Sequence, residues 1–282
     1  MKAKYFYFFS ICLMGLISCK KDKNEDDPQL IFKFKFDETL PRLNNFGNPA
    51  EMPEGHSAQS PDFKSISAHY IEFAPSHLTA LGDGEIVYQG EETTAGGANA
   101  VDFSKAVISG DDETFLSIPL SDVSPGTYEW VRVSLTYQNY GIEFKESGVT
   151  YTGRLASFVG FNTYLTSYVI DQQTVNVNAN KLQGYWGFET IGLTFEGQAP
   201  GTTVPNPIAS TSPVPAGSCV VTGEFPVPLT ISGDEDEDIV VYLNLSTNQS
   251  FEWKDQNMDG LYEPSAGDTV VDMGLRGLYP TY

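Results

Sequence analysis

Alternation of apolar and polar side chains recurs along this chain, and it limits the possible folds more than any other feature. At residues 30–36 phenylalanines occupy every second position after Leu30, and lysines stand between them. Residues 127–137 and 238–245 repeat the same period of two. Because successive side chains of a β-strand point to opposite faces, this period predicts strands that bury one face.

Other segments fit the same reading. We predict further strands at residues 65–73, 85–88, 114–120, 167–178, 185–195, 218–221 and 269–273, and long loops at 44–60, 89–100 and 198–217. Helical periodicity is scarce, and the one short helix that the pattern admits lies at 154–166. Many short strands between turns are typical of an antiparallel β-sandwich. The fold prediction for residues 30–282 is therefore all-β, a jelly-roll or immunoglobulin-like sandwich, with 197–217 as the candidate internal boundary.

Charge and composition exclude some classes of function. The hydrophobic fraction is 40%, which argues against a disordered chain. The formal net charge is −21 and no basic patch is visible, so nucleic-acid binding is excluded on electrostatic grounds. Of three cysteines, Cys12 and Cys19 stand at the N-terminus and Cys219 is isolated. A disulfide framework is therefore not expected, and Cys219 is predicted to be a small core residue.

The N-terminus has the layout of a secretory signal. Lys2 and Lys4 precede an apolar run at residues 5–17, and Leu-Ile-Ser leads directly to Cys19. The run is short for a transmembrane helix. It resembles a bacterial lipoprotein signal, which implies that residues 1–18 are removed and that Cys19 is lipidated and anchors the chain in a membrane. The alternative is an ordinary signal peptide with an incidental cysteine.

The residues after Cys19 predict a tether. Residues 20–27 are charged or polar without exception, so we assign 19–29 to the lipidated cysteine and a solvated linker. The segment resembles the lysine-then-acid export signals of surface lipoproteins from Bacteroidetes-type bacteria. That resemblance implies a cell-envelope protein on the outer membrane, exposed at the surface. A generic polar linker is the alternative.

Acidic residues near the C-terminus suggest a metal site. Asp255, Asn257 and Asp259 alternate before Gly260, and Leu261 follows with a free backbone carbonyl. The pattern resembles the first half of an EF-hand calcium loop, which implies that these residues supply oxygen ligands to calcium.

The pattern departs from that family in its second half. The twelfth loop position is Ala266, where an EF-hand has a bidentate glutamate, so Glu263, Asp268 or Asp272 must supply that ligand. The flanking residues 251–253 read as a strand and not as a helix. The alternative is an Asx-rich turn that its own side chains stabilise.

Function is less constrained than location. No motif of a hydrolase, a P-loop or a dinucleotide-binding protein is present, so a non-catalytic binding or assembly role is favoured. Trp130, Trp186 and Trp253 are candidate faces for stacking on carbohydrate, with core packing as the alternative. An envelope protein is the other candidate partner.

Metal delivery and hydrolysis are the remaining alternatives. Residues 124–128 open an alternating strand and resemble, weakly, the MbnP-like lipoproteins, which implies a β fold and a metal-binding role. That role requires the three histidines, His56, His69 and His77, to converge. A hydrolase requires two carboxylates that face each other across a cleft.

The lipid anchor gives the first testable prediction. Cys19→Ala is expected to abolish labelling by a fatty-acid analogue in cells, because the acyl chains need the Cys19 sulfur as their attachment point. Cys219→Ala is the matched control and is expected to label normally. Persistent labelling of the Cys19→Ala chain would contradict the anchor.

Overall fold

The structure is a computed structural model that describes residues 27–44, 47–199 and 218–282. The predicted signal peptide at 1–18, Cys19, most of the tether and most of the predicted boundary loop lie outside the described residues. In the described part of the chain the fold is all-β and β-sandwich-like, as predicted.

The described residues contain eighteen strands. In chain order they are β1 (Gln29–Asp37), β2 (His56–Gln59), β3 (Asp62–Ala74), β4 (Glu85–Gln89), β5 (Glu92–Thr93), β6 (Ala100–Asp102), β7 (Thr114–Pro119), β8 (Gly126–Glu146), β9 (Val149–Phe158), β10 (Asn162–Val169), β11 (Thr174–Leu182), β12 (Tyr185–Thr190), β13 (Leu193–Gln198), β14 (Cys219–Ile231), β15 (Ile239–Ser246), β16 (Phe251–Lys254), β17 (Thr269–Met273) and β18 (Arg276–Thr281). The helical segments described are single 3-10 turns, and none of them is long enough to cross a membrane.

The strands form four sheets. A seven-stranded sheet has the order β13-β12-β9-β8-β3-β4, with β14 also paired to β8. Two four-stranded sheets have the orders β18-β15-β1-β7 and β11-β10-β6-β5, and a three-stranded sheet has the order β17-β16-β2. The smaller sheets pack on the two faces of the large one, so the centre of the large sheet is buried on both sides.

Strand β8 is the longest strand and organises the large sheet. One of its edges pairs with β3, and the other pairs first with β14 and then with β9. The change of partner occurs at Thr136, whose carbonyl accepts hydrogen bonds from the amides of Val159 and Gly160. Ser67 and Ala68 are adjacent on β3 but pair with Tyr137 and Leu135, so Thr136 is an extra residue on β8. This bulge reverses the alternation of faces beyond it.

Because of the bulge, side chains of β8 enter three apolar cores. Before it, Val131, Val133 and Leu135 pack against β1 and β15 in the largest core. After it, Tyr137 enters a second core under β10 and β11. Tyr140 enters a third core with Phe251, Trp253 and other residues of the three-stranded sheet.

Several predicted elements are confirmed. On β1, Leu30, Phe32 and Phe34 are fully buried, whereas Lys33 and Lys35 both face Asp112 on the outside. The apolar side of β15 is buried as expected, and strands occur in each predicted segment. The segment 251–253 is part of β16, so the strand reading was correct.

Three predicted elements were wrong. Residues 154–166 belong to β9, a turn and β10, because both halves find partner strands and no helix can form there. Residues 167–178 are not one strand, since a turn at residues 170–173 separates β10 from β11. Residues 185–195 are not one strand either, since a turn at residues 191–192 separates β12 from β13. The sandwich is also not purely antiparallel, because β1 pairs with β15, and β10 with β6, in parallel.

Substitution of Tyr140 tests the role of the third core. Its ring is fully buried and lies 5.0 Å from the ring of Phe63, and burial raises the pKa of its phenol. Tyr140→Ala is expected to lower the free energy of unfolding by about 3–5 kcal/mol, because the cavity left behind cannot collapse within a sheet.

Tyr140→Phe is the matched control for this prediction. It keeps the ring and removes a buried hydroxyl for which the described residues provide no hydrogen-bond partner. The expected change is within about 1 kcal/mol. Denaturant unfolding measures both values, and a loss below about 1 kcal/mol for Tyr140→Ala would show that the third core does not support β8.

Candidate functional site

A groove of about 760 Å³ opens at the end of the large sheet, where β3 begins and where β8, β9 and β12 continue. We call it the polar groove. Side chains that form hydrogen bonds dominate its lining, among them those of Asp62, Glu143, Arg154, Asp171, Gln172, Gln173 and Glu189. Its volume lies within the range of roughly 300–1,000 Å³ that ligand pockets occupy.

Strand register places Arg154 in the polar groove. Arg154 on β9 is directly opposite Gly141 on β8 and Glu189 on β12, so the three residues share one face of the sheet. Because Gly141 has no side chain, the groove keeps an open floor beside the guanidinium.

The Arg154 guanidinium is held in place by Asp62. Its Nη1 donates to the Asp62 carbonyl at 3.1 Å, and its Nη2 lies 3.3 Å from the Asp62 carboxylate. Asp62 is exposed, so solvent weakens this ion pair. These two contacts orient Arg154, and the guanidinium donors that they do not use remain available to the groove.

Glu189 fixes the opposite wall. Its side chain is only 8% exposed, and its Oε2 accepts three backbone hydrogen bonds of 3.0 Å from Asp171, Gln172 and Gln173. These bonds satisfy the buried carboxylate and pin the turn between β10 and β11. The exposed side chains of Gln172 and Gln173 are thereby presented along the groove on a rigid support.

The charges of the polar groove favour an uncharged or cationic ligand. Carboxylates of Asp62, Glu143, Asp171 and Glu189 line it, and Arg154 is the cationic side chain among its lining residues. Lys64 offsets one of these carboxylates, since its ammonium lies 3.5 Å from Asp171. A phosphate or a sulfate would meet net repulsion here.

Apolar side chains cover the other face of the same hairpin. Trp186, Phe188, Leu193 and Phe195 lie on one side of β12 and β13, as their cross-strand pairing requires, and we call them the aromatic strip. Leu193 is 54% exposed and Phe195 is 49% exposed, whereas Trp186 and Phe188 are half-buried. Of the three candidate tryptophans, Trp186 is the one in this strip, where it is half-buried and packs against the third core beside the exposed Phe195.

The other two tryptophans lie in different surroundings. Trp253 is 1% exposed inside the third core, so for this ring the alternative of core packing holds in place of stacking on a ligand. The three-stranded sheet buries it against Phe251 and Tyr262. Trp130 is half-buried, and its ring centroid lies 6.5 Å from that of His77.

The predicted calcium loop is a network of side-chain caps on the backbone. The Asp255 carboxylate accepts hydrogen bonds from the amides of Met258 and Gly260 and from the Ser57 hydroxyl, and these bonds lower its pKa against the opposing effect of burial. Asp268 caps the amides of Gln256 and Glu263 in the same way, at 2.9 and 2.8 Å. All four carboxylate oxygens of Asp255 and Asp268 therefore accept hydrogen bonds from backbone amides of the loop.

A lysine occupies the outer side of this loop. The Lys145 ammonium lies 3.1 Å from Glu263 and 3.5 Å from Asp259, and both carboxylates raise its pKa. Asn257 and Asp259 bond to each other, and Leu261 donates its amide to Asp259. Among the described residues no three acidic, histidine or cysteine side chains are grouped to hold a metal. Calcium would have to compete with Lys145 for Glu263 and Asp259, and calcium binding stays a prediction.

The histidines make separate contacts. His56 and Arg42 both bond to the buried carboxylate of Glu252. His69 is buried, and its Nε2 lies 3.1 Å from the Glu92 carboxylate. The ring of His77 lies beside that of Trp130. In the described part of the chain these contacts do not bring the three histidines to one metal site.

Cys219 packs beside the largest core as a free thiol, and burial raises its pKa to about 12.

Sequence reasoning missed the polar groove. The tripeptide Asp171-Gln172-Gln173 between two apolar runs was a usable signal for a turn, since three polar residues interrupt the alternation. Nothing in the sequence indicated that Glu189 would cap that turn, because the contact depends on the pairing of β12 with β9.

Comparison of the chain with protein-family models, with curated proteins and with solved structures found no match.

Calcium binding is tested by thermal unfolding of the protein with and without millimolar calcium. If calcium binds, the midpoint is expected to rise by about 2–5 °C. Asp259→Ala is expected to remove the rise, and Lys145→Ala to enlarge it, because the competing ammonium is gone. Asp236→Ala, in a separate acidic run, serves as the control. Unchanged midpoints in both the wild-type and the Lys145→Ala protein would rule calcium out.

Proposed function

We propose that this protein is a lipid-anchored component of the cell envelope that captures a neutral glycan in the polar groove without chemical conversion. The anchor is Cys19, the membrane is the outer membrane, and the described domain faces the exterior. Residues 19–29 are the linker that separates the domain from the lipid surface. Nutrient capture is the concrete form of this role.

The polar groove is the observation that carries the proposal. Sugars present many hydroxyl groups in fixed directions, and each hydroxyl can donate and accept a hydrogen bond. The groove offers both kinds of partner, with donors on Arg154 and acceptors on Glu143 and Asp62, while Gln172 and Gln173 supply both. All of them stand on paired strands or on the turn that Glu189 pins, so binding requires little ordering of the protein.

The contacts of two groove carboxylates support capture over hydrolysis. A glycosidase needs one carboxyl group that gives a proton and a second that attacks or activates water. Glu189 is committed to three backbone amides, and Asp62 is held by Arg154. Both groups therefore already accept hydrogen bonds from the protein itself, a role that suits capture of a ligand and not attack on it.

Calcium and the other partner classes are secondary to this proposal. Calcium at residues 255–268 would be structural, because the loop contacts Lys145 at the end of β8, away from Arg154 and Glu189. A metal-delivery role has less support, since the described histidines make separate contacts. An envelope protein remains the alternative partner if glycans do not bind.

A glycan panel tests the proposed function. We expect the detergent-solubilised protein to bind at least one neutral oligosaccharide saturably, and Arg154→Ala to weaken that binding about tenfold or more, since a charge-assisted donor is lost. Gln173→Ala is expected to have a smaller effect. Lys105→Ala, an exposed cation outside the groove, is the control and should bind normally.

The outcome that refutes this function is a folded wild-type protein that binds no member of the panel. Binding that is equally tight in the Arg154→Ala and Lys105→Ala proteins would move the site away from the polar groove.

A further inference from the structure

The polar groove and the aromatic strip share one turn. Thr190, Ile191 and Gly192 line the groove at the end of the β12–β13 hairpin. The next residue, Leu193, is already part of the aromatic strip, and Phe195 follows two positions later. Ile191 at the tip is largely exposed, with a positive φ of 43°. The two surfaces therefore meet at the tip of the hairpin, one on each face of the sheet.

The aromatic strip is built on glycines that hold its rings flat against the sheet. Trp186 is paired with Gly197, and a Cβ on Gly197 would lie 2.2 Å from the indole ring. Gly153 makes the same contact with Phe188, at 2.1 Å. A ring that covers a glycine lies along the sheet. Trp186 and Phe188 also pack against the third core, so they form the half-buried base of the strip. Phe195 extends this surface to β13, the edge strand of the sheet.

Flat aromatic faces suit the apolar side of a sugar ring. Pyranose rings carry a face of C–H groups that packs on an aromatic ring, while their hydroxyl groups point outward to solvent or to other partners. The aromatic strip also carries no charge, whereas the net charge of the chain is −21. An uncharged ligand is the class that both surfaces accept.

We infer that the aromatic strip is a second subsite for one extended glycan chain, which occupies the polar groove and continues over the Ile191-Gly192 turn onto Phe195 and Trp186. This inference rests on the proposed function and sharpens it. The ligand is an oligosaccharide or polysaccharide, and a monosaccharide or disaccharide fills the groove alone. Affinity therefore rises with chain length until both subsites are occupied.

The test measures affinity across ladders of oligosaccharides, from disaccharide to hexasaccharide, prepared from cellulose, xylan, mannan and starch. Calorimetric titration of the detergent-solubilised full chain gives the dissociation constant for each length. We expect the longer members of one ladder to bind about tenfold tighter than its disaccharide, the gain that one or two stacking contacts supply.

Two variants separate the subsites. Phe195→Ala is expected to abolish the gain with length and to leave the disaccharide affinity unchanged, because Phe195 is absent from the groove lining. Arg154→Ala is expected to weaken all lengths alike. Leu78→Ala removes an exposed apolar side chain on another loop and is the matched control. Phe195→Leu keeps an apolar side chain but has no aromatic ring, so it tests whether ring stacking causes the gain. Thermal unfolding verifies that each variant is folded.

The possible outcomes distinguish failure of the second subsite from failure of the proposed function. Affinity that does not depend on length, or a gain that survives Phe195→Ala, overturns the second subsite and leaves the proposed function in place. A gain that Phe195→Leu retains overturns ring stacking as its cause. No binding by any ladder to the folded wild-type protein overturns the proposed function together with the inference.

Discussion

The structure depends on the burial of strand β8 on both faces. This one strand of 21 residues contributes to all three apolar cores and pairs with three other strands. The bulge at Thr136 makes this possible, because it turns Tyr137 towards the second core and Tyr140 towards the third. Without it, strict alternation would place Tyr137 on the face of Val133 and Leu135, and Tyr140 on the opposite face, away from the cores that they enter.

The polar groove and the aromatic strip lie where the smaller sheets stop covering the large sheet. Strands β10 and β11 cover one face of the large sheet only as far as the turn that Glu189 caps, and the polar groove begins beside that turn. On the other face the three-stranded sheet buries Trp253 but leaves Phe195 exposed on the edge strand. Both surfaces stand on paired strands, which favours a preorganised binding site over one that forms when a ligand arrives.

Local pattern predicted the strands, whereas their pairing needed the folded chain. The alternation in β1 and β15 identified their buried faces correctly, because burial of Phe32 or Val241 is a property of the strand itself. Their parallel pairing joins residues about 209 positions apart, as the bond from Gln29 to Asp238 illustrates, and no local signal encodes it. The different exposure of Trp186 and Trp253 could not be predicted for the same reason, since it depends on which sheet packs over each ring.

The central claim is that the polar groove holds a glycan on a preformed support, and a crystal structure with a bound oligosaccharide tests it most directly. The account predicts sugar hydroxyls within hydrogen-bond distance of Arg154 and of the Gln172-Gln173 turn, with the hairpin backbone in the conformation described above. Sugar bound only elsewhere on the molecule, or a groove that rearranges around the ligand, would contradict it.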